Sequence, residues 1–381
     1  MHIPLRRLLA AALAAVLGLA AVTAGFLATR PGPEARAERL LARELARDPD
    51  AVARELRAYN PEWDFMHRTF LALSLADRAL AHPDEADLQL QRIDAIVRQQ
   101  MADQAAHGDA WFLLDYVHAR PFRDPTGRSV FVDGEIALVL GARRFVRDDD
   151  PALAAEHRAR VEALAAQFAR SPALLPESYP DEAWLFCNTN ALVAIRMADL
   201  LDGTDHQPLI DAWLANARER LIEPDSGLLG SEYSWSGAPQ DGPEGSSVWL
   251  VAVNLRLLDP ALAEQQYTAA REALVRDVAG LGYAREWGPG WHGPVDVDSG
   301  PLVPILQASP SSSGFALMAA HAFGDAPTYR RLTRALGAAD VVTALDPRLA
   351  ALAANPMGDV IVLHGLPYGP REAVAARADA T

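Results

Sequence analysis

Apolar positions recur at helical spacing almost throughout the chain from residue 34 onward. Glu34 to Tyr59 reads as one Ala/Arg/Leu/Glu-rich amphipathic helix. Further periodic segments cover 62–81, 86–107, 132–147, 151–170, 182–202, 206–222, 245–258, 260–280, 311–323, 325–338 and 346–354. Several connections carry helix punctuation. Asp148-Asp149-Asp150-Pro151, Asp202-Gly203-Thr204-Asp205 and Asp259-Pro260 read as a stop followed by a cap. Proline suits the first helical position, where no backbone hydrogen bond is lost. Short strand-like runs stand at Leu228–Trp235, Tyr283–Trp287 and Asp359–His364. Twelve helical segments make six hairpins, and each must bury one face on its neighbours. Their lengths are unequal, and no fixed repeat recurs as in solenoids. The pattern therefore predicts an all-α chain closed into an α/α toroid, with short β pieces in loops. Loops 223–245 and 281–314 are rich in Gly, Pro, Ser and Trp. They are expected to gather over a central pocket.

The N-terminal end differs. Leu8 to Ala28 is an uncharged run of 21 residues preceded by Arg6 and Arg7, long enough to span a bilayer. The flanking charges predict the N-terminus inside and the body outside. Residues 1–30 thus read as a signal-anchor, with Val22-Thr23-Ala24 as the alternative cleavage site of a signal peptide. Residues 31–381 read as a single exported domain, on the periplasmic side of a bacterial inner membrane. A homo-oligomer is compatible with this arrangement.

Composition removes several chemistries. Net charge is −15, so a nucleic-acid partner is not expected. All 35 basic residues are Arg, which excludes Schiff-base lysines and the phosphate lysine of P-loops. The single cysteine, Cys187, excludes internal disulfides, multi-cysteine zinc sites and cysteine-held iron–sulfur clusters. Asp296 and Asp298 lack the spaced oxygen ligands of a calcium loop, and no metal or other cofactor is expected.

Candidate chemistry gathers at helix starts. In Glu62-Trp63-Asp64-Phe65-Met66-His67, Glu62 suits the helix dipole. Asp64 is the candidate acid or base, His67 shares its face, and Trp63 would wall a pocket. Glu135 interrupts an apolar stretch, where a carboxylate is costly unless it has a use. The run Ser178-Tyr179-Pro180-Asp181-Glu182-Ala183-Trp184-Leu185-Phe186-Cys187-Asn188 places a thiol early in an apolar helix, under Ser178 and Tyr179. A helix N-terminus lowers a thiol pKa, so Cys187 is expected to serve as nucleophile or proton donor. Tyr233 joins Asp64, Cys187, Ser178 and Glu135 as a catalytic candidate. Tyr179, Trp184, Asn188, Glu232, Trp235, Glu244 and Asp298 join Trp63 and His67 as binding candidates.

These residues carry a resemblance. Glu62 to Thr69, Ser178 to Asn188, Asp241-Gly242-Pro243-Glu244-Gly245 and Asp298-Ser299-Gly300-Pro301 resemble the linalool dehydratase/isomerase-like family over about 55–370. The resemblance implies an (α/α)6 barrel. It also implies cofactor-free dehydration and isomerisation of an acyclic monoterpene alcohol, in a pocket lined by Asp, Tyr, His and two cysteines. Cys187-Asn188 matches the second cysteine, and Asp64 the Asp. Ser178 stands where the first cysteine is expected, and Phe70 where Tyr is expected. The resemblance thus points to a cofactor-free lyase or isomerase acting on an apolar, hydroxyl-bearing substrate. Two readings stay open beside it: a carbohydrate-active toroid with paired carboxylates among Asp64, Glu135, Glu232 and Asp298, and a non-catalytic ligand-binding toroid.

Overall fold

The computed structural model describes residues 32–289, 291, 300, 302–303, 305–345 and 355–366. Leu8–Ala28, Asp298 and the expected helix 346–354 lie outside the described residues. Among the described residues no helix is long and apolar enough to cross a membrane.

Helices dominate because Asn, Asp and Ser caps recur ahead of proline. α1 (Pro33–Ala46) and α2 (Pro49–Tyr59) replace the single helix expected over 34–59. Asp48 caps α2 by accepting the Asp50 N–H, and Pro49 ends any continuation of α1. Asn60 caps α3 (Pro61–Ala81), and α4 follows at Ala86–His107. α5 (Val130–Val146) leads to α6 (Pro151–Arg170), whose cap Asp150 accepts two backbone N–H groups. α7 is Leu185–Asp202. α8 is Gln207–Asn216, continued by a wider π-type turn at Ala217–Leu221. α9 (Gly245–Leu255) and α10 (Pro260–Leu274) are followed by α11 (Pro310–Ala322), α12 (Ala326–Leu345) and α13 (Pro356–Gly365).

Two expectations are corrected here. Asp359–His364 belongs to helix α13, not to a strand. Asn355 caps this segment and Pro356 starts it, so the short apolar run becomes helical. The helix expected over 260–280 stops at Leu274. Its remainder forms β4 (Val275–Val278), paired antiparallel with β5 (Leu281–Ala284). The turn between them, Ala279-Gly280, has positive φ at both residues, as a tight hairpin requires. A second small sheet joins β1 (Ala183–Trp184), β2 (Glu232–Tyr233) and β3 (Pro239–Asp241) in that order.

Six helices pack in series. α3 packs on α5, α5 on α7, α7 on α9, α9 on α11 and α11 on α13, and α13 packs on α3. α5, α7 and α9 are buried on nearly all sides, as their composition demands. The amphipathic α4, α6, α10 and α12 cover them from outside. Gly134 lets α5 and α7 approach closely, since a Cβ there would stand 3.2 Å from the Ala191 Cβ. Loop contacts tie several of the inner helix starts together. Val130 N–H bonds to Glu177 O, Leu185 N–H to Ser231 O, and Gly245 N–H to Glu286 O. Trp249 Nε1 donates to Ser312 Oγ. The starts of α5, α7, α9 and α11 are thereby held at one end, where the candidate chemistry lies.

Candidate active site

The loop before α7 is shaped by one buried carboxylate. Glu177 accepts the backbone N–H groups of Arg123, Asp124 and Asp181. Ser129 Oγ donates to Ser178 O at 2.6 Å, fastening the loop to the start of α5. Ser178 and Tyr179 are thus fixed over the first turn of α7. The Ser178 hydroxyl accepts Trp184 N–H at 3.3 Å and lies beside the Cys187 thiol, where it favours the thiolate. Tyr179 reaches the other way: its phenol donates to Glu62 Oε1 at 2.5 Å and accepts Leu114 N–H at 2.8 Å. Glu135, 1% exposed in the second turn of α5, is near enough for its charge to act on Cys187.

The electrostatics follow from burial. Burial pushes the Cys187 thiol well above the ordinary cysteine range. The carboxylates of Glu135 and Glu62 add to this, while Ser178 and a backbone hydrogen bond oppose them. The expected lowering of the thiol pKa is therefore corrected, and of the two roles expected for Cys187, nucleophile or proton donor, only the second fits a thiol held protonated. Tyr179 is likewise pushed up, first by burial and then by Glu62, and remains a phenol.

Four candidates face elsewhere or serve the fold. Asp64 is bound by Arg68 in two bonds, Nε to Oδ1 at 2.9 Å and Nη2 to Oδ2 at 2.8 Å. Arg57 stands 3.6 Å from it. A carboxylate so committed is not a free base. Sequence reading overlooked its neighbour Glu62, which had been assigned only to the helix dipole. His67, expected on the same face, does not meet Asp64, whose partner is Arg68. His67 turns to α1 and meets Glu44 Oε2 at 3.0 Å. The Tyr233 hydroxyl donates to Leu221 O at 2.6 Å and accepts Gly230 N–H, bracing its own loop. Asn188 donates to Pro176 O and Trp184 O, both at 3.1 Å, and so holds the loop to α7.

The remaining candidates lie around the loops. Trp63 is half-buried and stacks on Tyr59 at 6.3 Å. Trp184 is half-buried on β1, opposite Glu232 in the register. Trp235 is fixed through its backbone, accepting from Ser171 Oγ and donating to Asp181. Glu244 caps α9, its N–H donating to Ser231 Oγ at 2.8 Å. Glu232 is pushed up to about 8 by burial, with Glu182 and Asp241 repelling its charge and Arg120 opposing them. Asp298 is outside the described residues. Among the described residues no cluster of three or more His, Cys, Asp or Glu could hold a metal ion.

A family model for linalool dehydratase/isomerase matches residues 142–343. The chain belongs to the linalool dehydratase/isomerase family. The matched span contains Ser178, Tyr179, Cys187 and Glu232. In this member of the linalool dehydratase/isomerase family, Glu62 and Glu135 reach the same group from outside that span. Aromatic rings extend the site inward. Phe70 of α3 lies 5.7 Å from Phe315 of α11, and Phe315 lies 6.5 Å from Phe186 of α7, the residue before Cys187. Phe70, standing where the resemblance implied Tyr, supplies a ring face and no proton.

Proposed function

We propose that this protein is a cofactor-free lyase or isomerase that acts by acid–base chemistry on an apolar, hydroxyl-bearing substrate of terpenoid type. One observation carries the reading. A neutral thiol beside Ser178 sits within the field of two carboxylates and next to an aromatic cluster. The negative field that holds the proton on sulfur also stabilises a developing carbocation. The π faces of Phe70, Phe186 and Phe315 act in the same sense. Cys187 S–H donates to the departing hydroxyl oxygen, and Ser178 orients the thiol. Glu135 and Glu62, the latter steadied by Tyr179, face the cationic carbon skeleton.

We further propose that α3, α5, α7, α9, α11 and α13 are the inner ring of an (α/α)6 toroid. The serial packing that returns from α13 to α3 supports this. In the same reading Leu8–Ala28 tethers the body to a membrane with the domain exported, which protease protection in spheroplasts would test.

The deciding assay incubates the full-length chain, in detergent, with linalool, geraniol and myrcene. Products are followed by headspace gas chromatography beside Cys187→Ala and Glu135→Gln. Turnover that falls at least ~100-fold in both variants is expected. A folded protein without turnover, or undiminished turnover in Cys187→Ala, sinks the reading. The carbohydrate reading keeps one observation in its favour, the carboxylate of Glu232 beside Glu182 and Asp241. It predicts release of reducing ends from oligosaccharides that Glu232→Gln abolishes.

A further inference from the structure

Three consecutive residues of the loop between β5 and α11 keep a buried polar atom without a hydrogen-bond partner among the described residues. They are Arg285 Nε, Glu286 Oε2 and Trp287 Nε1. Ser247 Oγ, in the first turn of α9, is in the same state. We propose that Glu286 and Ser247 form a second polar subsite, which binds a hydroxyl at the end of the substrate remote from the one that leaves. The substrate class is then an acyclic terpenoid diol, an inference that rests on the dehydration reading above.

The fold builds this place. Glu286 is 1% exposed. Its Oε1 accepts Ser246 N–H at 2.7 Å and its carbonyl accepts Gly245 N–H at 2.7 Å, which fixes the carboxylate over the start of α9. Gly245 is required there, because a Cβ would stand 2.5 Å from Arg285 O. Ser312 Oγ of α11 donates to Arg285 O at 2.8 Å, so the loop is pinned to α11 as well. Oε2 is left over. Ser247 is 4% exposed and departs from the other helical hydroxyls. Ser74, Thr189 and Ser313 each return their hydroxyl to a carbonyl four residues back, and Ser247 does not. Leaving a buried acceptor and a buried hydroxyl unmet is costly, and a ligand that meets both removes that cost.

Position separates this subsite from the thiol. Cys187 lies on α7, beside Ser178 and in the field of Glu135 of α5. Glu286 lies where α9 meets α11, and α9 packs on the far side of α7 from α5. Ser231 holds the two helix starts level. It accepts Leu185 N–H of α7 through its carbonyl and Glu244 N–H before α9 through Oγ. Neighbouring helix axes stand about 8–10 Å apart, the length scale of an acyclic monoterpene. Aromatic faces lie between the two ends. Phe186 adjoins Cys187, Phe315 follows Ser312 by one turn, and their rings are 6.5 Å apart.

The unmet atoms select the group. The Glu286 oxygen accepts, while Arg285 Nε and Trp287 Nε1 donate and the Ser247 hydroxyl does either. A neutral hydroxyl donates to the first and accepts from the others. A ligand carboxylate or phosphate is repelled by Glu286, and an ammonium offers the donors no acceptor. Only hydrogen bonds form at this end.

The test uses the full-length chain in detergent, with linalool and a linalool that carries a second hydroxyl at its far end. Wild type stands beside Glu286→Gln and Ser247→Ala, with folding checked by circular dichroism and products followed by gas chromatography of extracts. Wild-type kcat/KM is expected to favour the diol at least ~100-fold. Both variants should cut that preference below ~10-fold. Gln keeps an oxygen for Ser246 N–H and puts an N–H donor in place of Oε2. Glu286→Gln should therefore turn the preference toward an analogue ending in an aldehyde, which accepts only. A side chain that merely braces the loop would not change the choice of end group. A second readout needs no turnover: by tryptophan fluorescence, the diol should bind wild type at least ~10-fold more tightly than linalool. Linalool turnover with no preference for the diol, or a preference that persists in both variants, overturns the inference while the dehydration reading stands. A binding preference that Glu286→Gln removes, with neither alcohol turned over, sinks the dehydration reading and keeps the subsite. Neither turnover nor binding preference removes both.

Discussion

Cys187 shows how opposed effects are decided by size. A helix N-terminus stabilises an anion by about 0.3–1 kcal/mol. Removing that anion from water costs several kcal/mol, and two nearby carboxylates add to the cost. Burial wins. Because the folded thiol titrates above the unfolded one, its contribution to stability is full below about pH 8.5 and is lost as pH rises beyond. Alkylation of Cys187 by iodoacetamide in the native protein is therefore expected to keep accelerating past pH 9; a plateau below pH 7 would contradict the neutral thiol. Glu232 follows the same sign. Its pKa is raised from 4.5 to about 8, so its contribution to stability declines across that interval. Melting temperatures of Glu232→Gln should fall less between about pH 5 and 8 than those of wild type. Asp64 is held by Arg68 in two bonds. Asp64→Asn leaves Arg68 with Asp103 alone as its charged partner and should cost about 2 kcal/mol in chemical denaturation. Activity per folded molecule should survive; if it vanishes while stability is kept, Asp64 is chemical after all.

Individual elements were legible wherever their signal is local. Asp150-Pro151 and Asp259-Pro260 mark α6 and α10 because the cap and the first turn lie within four residues. Asp48-Pro49 is the same signal, passed over inside an amphipathic run that suggested continuity. Asp359–His364 misled because a short apolar run has no period that separates strand from helix. Element-scale changes should act twice. Asn60→Ala removes the α3 cap, at about 1 kcal/mol, and loosens Glu62, whose N–H that cap holds at 2.8 Å. Gly134→Val forces α5 from α7 and should cost about 1–3 kcal/mol. It should also displace Glu135 from Cys187, so the upward shift of the thiol shrinks. Thermal melts and the alkylation profile together separate these two effects.

For the whole molecule, the last described helix is a structural keystone. α13 packs on α11, α3 and α1, so residues at both ends of the described chain depend on it. Ending the chain before Pro356 exposes apolar faces of α3 and α11. Loss of the near-ultraviolet dichroism and of a cooperative melt is expected; an unchanged melt would show that α13 is an appendage. The same packing explains why the site spans the chain. Glu62 and Tyr179 are 117 residues apart and share one hydrogen bond.

The amino-acid sequence by itself determined the helical class, most helix starts, the absence of lysine chemistry, and the placing of Ser178 and Tyr179 over a cysteine early in a helix. All of these depend on residue type or on neighbours within a turn or two. Only the tertiary structure decided that Glu62 meets Tyr179 while Asp64 meets Arg68, that Tyr233 bonds to Leu221 and His67 to Glu44, and that the His364 ring lies against Phe70. It also decided that burial holds the Cys187 thiol protonated. Facing depends on which neighbouring helix supplies an arginine or an aromatic ring, and protonation depends on how much water that packing excludes. Both are properties of distant segments brought together.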